Sequence, residues 1–202
     1  MNNTLRNTIQ AASALPIEES RLPVLNQLTD YIKRKIDSKE PVRLNFICTH
    51  NSRRSQMSQI WAQAAAQFYH IPINSYSGGV EVTAFNERAV ASCQRMGFEI
   101  NKEGDSANPH YTVQTDKDTE LLCFSKTFDD PSNPSTGFAA IMTCSDADEN
   151  CPFIPGAEAR IPLRYEDPKA FDNTDLEQEK YDERNLQIAS ELLFVFRRLS
   201  ET

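Results

Sequence analysis

The strongest constraint on this chain lies in residues 42–69, where VRLNFI runs into CTHNSRRS and then into SQMSQIWAQAAAQFY. The first stretch is short, apolar and β-rich, and fits a central strand. The last is alanine-rich and has good intrinsic helix propensity. Between them sits a polar loop with no room for another element. A second strand candidate at 73–77 ends at Gly78-Gly79, and a second helix candidate at 86–96 ends at Gly97, a plausible C-terminal cap. A repeated strand-then-helix order favours an α/β sheet with right-handed crossovers.

The rest of the chain is read around that unit. FAAIMT at 138–143 is short, apolar and followed by polar residues, the pattern of a late buried strand, and ARIPLRY is a further candidate. HYTVQ and ELLCFSK read as two strands around the turn TDKDT, and DDPSNPSTG is a loop. Residues 175–198 have a helical apolar face carrying Tyr181, Leu186, Ile188, Leu192, Leu193, Val195 and Phe196. Near the start, Leu25, Leu28, Ile32 and Ile36 form one helical stripe, with Pro23 in the first turn and Pro41 closing the segment. That stripe is expected to pack on the domain or to form a dimer face. The chain therefore reads as an N-terminal helical extension, 1–40, followed by an α/β domain, 41–202.

Charge limits the partners. The chain has 202 residues and a formal net charge of −8. This balance argues against nucleic acid or an anionic membrane surface, since such partners select cationic surfaces. An anionic ligand then requires positive charge concentrated locally. No apolar run approaches the roughly 20 residues that cross a bilayer. The first residues, MNNTLRNTIQAASALP, lack a continuous apolar core, which argues against a secretory signal. An odd number of cysteines, five, fits reduced thiols in a cytoplasm better than a disulfide framework.

The local positive charge is in the loop after the first strand: Cys48, Thr49, His50, Asn51, Ser52, Arg53, Arg54 and Ser55. A Cys six positions before an Arg, between strand and helix, can wrap the intervening residues around one tetrahedral oxyanion. The loop amides point inward and the helix N-terminus adds partial positive charge. The same surroundings favour the nucleophilic thiolate form of a cysteine. Arg54 offers a planar fork of donors, and Ser55 can donate to the thiolate.

Two further constellations stand later. In TCSDADENCP, Cys144 and Cys151 directly follow a strand candidate. They can be read as half a zinc site, as a redox pair, or as two unrelated thiols. The zinc reading lacks further ligands, because the histidines are His50, His70 and His110 and no second Cys pair exists. For a redox pair, an extended span of this length holds the sulfurs apart, so closing a disulfide requires local rearrangement. In YEDP, Asp167 is either a general acid beside the oxyanion or ordinary Asp-Pro turn chemistry. Cys93 and Cys123 fall in apolar helix and strand patterns and read as core. No metal site or resident cofactor is expected.

In this order, the three constellations resemble the low-molecular-weight protein tyrosine phosphatase superfamily, and within it the arsenate reductase branch recycled by thioredoxin. CTHNSRRSQM is similar to that branch's nucleophile loop, SYSGG to the strand end after the first helix, TCSDADENCP to the redox segment and YEDP to the general-acid loop. The likeness covers roughly residues 42–200, thins over 101–137, and is absent over 1–40. It implies a three-layer sandwich with a central parallel four-stranded sheet, to which the N-terminal helices are added. It also implies a relay in which Cys48 attacks arsenate held by residues 49–55, with Arg54 as the main side-chain donor. Asp167 protonates the departing oxygen, Cys144 and Cys151 take up the oxidation, and thioredoxin reduces the final disulfide.

The chain departs from the family at several positions. His50 stands where the family usually has Gly, Arg53 where it often has a second Cys or a small residue, and Gln59 where some reductases use a carboxylate to hold potassium. Two other readings remain: a phosphatase acting through a cysteinyl-phosphate on the same Cys48, Arg54 and Asp167, and a non-catalytic oxyanion or redox sensor.

Overall fold

The computed structural model describes residues 1–150 and 153–201. Its centre is a sheet of β1 (Arg43–Cys48), β2 (Asn74–Gly79), β6 (Phe138–Met142) and β7 (Ala157–Ile161), all parallel, in the order β2-β1-β6-β7. β1 and β6 are the two inner strands. All of β6 and all but the first residue of β1 are buried. Alternate side chains serve opposite faces, as the two-residue strand period requires. Leu44, Phe46, Ala139 and Ile141 join a large core, while Ile47, Cys48, Phe138, Ala140 and Met142 join a smaller one.

The larger core is covered by α3 (Arg54–Phe68) and α6 (Glu177–Ser200), with α1 (Asn3–Ser13), α2 (Leu22–Asp37) and α4 (Glu87–Arg95) packed around α6. The short α5 (Ser145–Asn150) lies on the opposite face beside β1 and β6. Helices on both faces of a parallel four-stranded sheet make the three-layer sandwich expected above. The alanines of α3 follow from its position, since a helix caught between sheet and α6 must be thin. Its Ala62, Ala64, Ala65 and Ala66 are fully buried. The predicted stripe on α2 packs on the domain: Leu25, Leu28 and Ile32 have no exposed surface, and Leu5 and Ile9 of α1 enter the same core.

Two differences from the sequence reading concern short elements. Residues 99–123 form a separate antiparallel sheet of β3 (Glu99–Glu103), β4 (His110–Asp116) and β5 (Thr119–Cys123). The β4–β5 pair matches the expected hairpin, but β3 was not expected. Its sequence, EINKE, is almost entirely exposed and carries no apolar alternation, so backbone pairing with β4 alone defines it. The span after Cys144, read as extended, is helical over Ser145–Asn150. Asp146 and Asp148 in its first turn suit the positive end of a helix.

Strand order places the site. From β1 the chain crosses to β2 on one side and later returns to β6 on the other, so the C-terminal ends of β1 and β6 flank the switch point where open α/β sheets bind ligands. Cys48 ends β1, and Cys144 follows β6 by two residues. Because α2 is part of the core, Leu28→Ala should cost about 2–5 kcal/mol of unfolding free energy. Denaturant melts check this, and an unchanged midpoint would show α2 to be dispensable.

Candidate active site

The loop from Cys48 to Ser55 closes at the N-terminus of α3. Cys48 Sγ lies 3.0 Å from Ser55 Oγ, and both residues are buried. The turn is made by Asn51, whose φ of 47° is left-handed. Asparagine tolerates this region better than other side-chain-bearing residues. Its buried side chain is also the loop's main tie. Nδ2 donates to Ser55 Oγ at 2.9 Å, while Oδ1 accepts from Gln56 Nε2 at 3.1 Å and from the Lys126 amide at 3.0 Å.

The other loop side chains and carbonyls also point outward. Ser52 Oγ donates to the Ala84 carbonyl at 2.7 Å, and the His50 carbonyl accepts from Ser125 Oγ at 2.8 Å and Thr83 Oγ1 at 3.2 Å. The Thr49 carbonyl accepts from the amides of Val80 and Glu81, each at 2.8 Å. Among the described residues, the amides of residues 50–54 have no protein acceptor. The loop thus keeps its donors for a guest and ties everything else to the scaffold, which is the arrangement of an anion nest.

Glycine at the end of β2 is a steric requirement of this packing. A Cβ on Gly79 would stand 2.7 Å from the Asn51 nitrogen and 2.8 Å from the Thr49 oxygen. A Cβ on Gly78 would stand 2.3 Å from Phe128 Cα. Both approaches are to backbone, so neither can be relieved by turning a side chain.

Arg54 connects the loop to Asp167. Nη2 donates to Asp167 Oδ2 at 2.7 Å and Nη1 to the Tyr165 carbonyl at 3.0 Å, while its buried Nε has no partner among the described residues. Asp167 caps the 3-10 turn Pro168–Phe171, its Oδ1 accepting from the Lys169 amide at 3.0 Å. On the other flank Cys144 is buried in the same small cluster as Cys48, and its Sγ lies 3.5 Å from Thr49 Oγ1. A cleft of about 520 Å³ opens beside the loop, walled by His50, Ser52, Arg53, Asn86, Tyr111 and Lys169.

No family model matches the chain. The arsenate reductase of Staphylococcus xylosus is 29% identical over 124 residues, which is 61% of this chain and 76% of that protein. The arsenate reductase of Staphylococcus aureus strain Newman is 28% identical over 123 residues, with the same coverage of 61% and 76%. Among solved structures, a low-molecular-weight phosphotyrosine phosphatase from Vibrio cholerae O395 matches with a TM-score of 0.54 and 14% identity, over 79% of this chain and 97% of that one. The chain has the low-molecular-weight phosphatase fold. The two sequence relatives named above are arsenate reductases.

On this phosphatase fold the residues singled out from sequence separate into groups. Cys48, Thr49, Asn51, Ser55, Arg54, Asp167 and Cys144 converge around the nucleophile loop. Cys151 lies outside the described residues. His50 is accommodated without strain because Asn51, not His50, takes the left-handed turn; its ring is half exposed, with Nε2 3.4 Å from Glu81. The Arg53 guanidinium turns away from the cradle to Tyr181 and Asp172. Gln59 donates to the Ser75 carbonyl at 3.2 Å and acts as a helix-to-sheet tie.

Sequence reasoning missed the supports behind the loop, namely Gln56, Ser125 and the 124–128 backbone. The signal that was present is Asn51 itself, an asparagine in a tight turn.

Cys93 and Cys123 are fully buried, and burial pushes both thiols up to about 12. At pH 8 each is therefore a neutral thiol shielded from solvent. Iodoacetamide at that pH should modify neither in the native protein and both in denaturant, as read by peptide mass. Native labelling of either would refute the core assignment.

Proposed function

We propose that the protein reduces arsenate to arsenite through a cysteine relay. The observation that carries this reading is a second buried thiol, Cys144, beside the nucleophile loop, at the end of the strand next to the one that carries Cys48. Hydrolysis of a phosphate ester needs the nucleophile, Arg54 and Asp167, and that thiol takes no part in its chemical steps, serving there at most to protect the nucleophile by a reversible disulfide.

Arsenate copies phosphate in shape and charge, and the free loop amides and Arg54 Nε suit such an anion. Cys48 Sγ attacks arsenic, an As–O bond breaks, and the oxygen leaves as water with a proton from Asp167. Cys144 Sγ then attacks Cys48 Sγ. The S–As bond breaks with its electron pair passing to arsenic, which leaves as As(III), and a Cys48–Cys144 disulfide forms. Cys151 attacks Cys144 and frees Cys48. Two thiols have supplied the two electrons, and a dithiol reductant of the thioredoxin class restores the Cys144–Cys151 pair. Such a reductant and such free thiols belong to a reducing cytoplasm. No helix among the described residues is long and apolar enough to cross a membrane.

The phosphatase reading draws on the same Cys48, Arg54 and Asp167, which are sufficient for a cysteinyl-phosphate cycle. One experiment separates the two. With arsenate and thioredoxin, Cys151→Ser should abolish multiple turnover, while hydrolysis of an aryl phosphate should survive that change; Cys48→Ser should abolish both. Brisk ester cleavage with no arsenate-dependent oxidation of thioredoxin would overturn the reductase reading.

A further inference from the structure

Arg53 and Arg54 are adjacent in sequence, yet they reach opposite ends of the same neighbouring segment. Arg54 holds its start, at the Tyr165 carbonyl and Asp167. Arg53 holds its end. Nε donates to Tyr181 Oη at 2.7 Å, Tyr181 Oη donates to Asp172 Oδ1 at 2.8 Å, and Arg53 Nη2 stands 3.4 Å from Asp172 Oδ2. These groups are largely desolvated, with Arg53 and Asp172 side chains 11% and 18% exposed and the Tyr181 residue buried. Burial, the largest influence, pushes the Tyr181 hydroxyl up to about 12, so it stays protonated and keeps its donor for Asp172. Past Asp172 the chain reverses at Asn173, with a φ of 62°. The Asn173 amide donates to Glu177 Oε2 at 2.6 Å, and Arg88 Nη2 donates to Asn173 Oδ1 at 2.9 Å.

The two ties respond differently to the reaction. Arg54 is committed to Asp167 only while its donors are not needed by an oxyanion and while that carboxyl is ionised. Binding an anion draws on Arg54, and proton-loading of Asp167 removes the charge that holds it. The Arg53–Tyr181–Asp172 tie involves neither the anion nor the acid, so it persists through both events.

We propose that Arg53, with Tyr181 and Asp172, is a positioning group that holds the acid segment against the nucleophile loop so that Asp167 stays in reach of the leaving oxygen. This rests on the assignment of Asp167 as the acid in the reading above. Arg53 therefore acts through Asp167 and does not extend the oxyanion cradle.

The test is a double-mutant cycle on Tyr181→Phe and Asp167→Asn, reading kcat and KM for arsenate with thioredoxin as reductant. Tyr181→Phe keeps the buried ring and removes only the hydroxyl. Alone it should lower kcat about tenfold, a fraction of what a general acid contributes, and leave KM within about twofold. In the Asp167→Asn background it should cause no further loss, because a group that acts only through Asp167 has nothing left to position. Asp172→Asn should behave in the same way and guards against an effect peculiar to Tyr181.

An additive loss in the double variant, or a raised KM with unchanged kcat, would overturn the proposal. A wild-type protein that oxidises no thioredoxin with arsenate but cleaves an aryl phosphate would overturn the reductase reading alone. The same cycle run on that ester would then decide the role of Arg53.

Discussion

The site depends on one buried asparagine. A loop that offers its amides to an anion cannot use them to hold itself together, so its stability must come from side chains and carbonyls on the outside of the turn. Asn51 meets this need twice, through a backbone conformation that few residues accept and through a side chain that ties the Ser55 hydroxyl, Gln56 and the Lys126 amide together. The Lys126 tie explains the placing of the long connection between β2 and β6. Its residues 126–128 run beside the end of β2, with Gly79 donating to the Lys126 carbonyl and Phe128 donating to the Gly79 carbonyl. The antiparallel sheet of β3, β4 and β5 delivers that backbone, so this excursion forms the back wall of the nucleophile loop.

The electrostatic arrangement reconciles an acidic protein with an anionic guest. With a formal net charge of −8, the chain does not attract anions from a distance. Attraction is confined to oriented amides, a helix N-terminus and Arg54, all of which act at contact range. Even there the second arginine is neutralised by Asp172. Selection therefore falls on a small oxyanion that fits inside the loop, and an extended polyanion gains little.

Legibility in the sequence followed burial. β1, β6, α3 and α6 carry dense apolar patterns because each is covered by another element, and their positions could be read from residues alone. The loop at residues 48–55 stood out for a different reason, since Cys48 and Arg54 at that spacing, between strand and helix, suit a narrow chemistry. β3 left no trace because exposed backbone pairing imposes no side-chain pattern. The ties behind the loop were hidden because only the closed fold brings Gln56 Nε2 and the Lys126 amide to Asn51 Oδ1, and Ser125 Oγ to the His50 carbonyl. Arg53 was misleading for a related reason. Its neighbour Arg54 faces the cradle, and sequence alone does not show that one residue further back around a helix start points to the opposite side.

The proposed relay would place a mechanical demand on α5. A disulfide brings its two Cα atoms to about 5.5–6 Å, and the described residues between the two cysteines, Ser145–Asn150, are helical. Closing a Cys144–Cys151 bond in the proposed relay would draw on unwinding of α5. The cost is low, since a helix this short has little intrinsic stability. What opposes unwinding is tertiary: Asp148 accepts from Arg160 Nε at 3.0 Å and Arg164 Nε at 2.8 Å, and Ala147 is buried against the small core that holds both Cys48 and Cys144. Oxidation at Cys144 in that relay would act on an element held by these side-chain contacts.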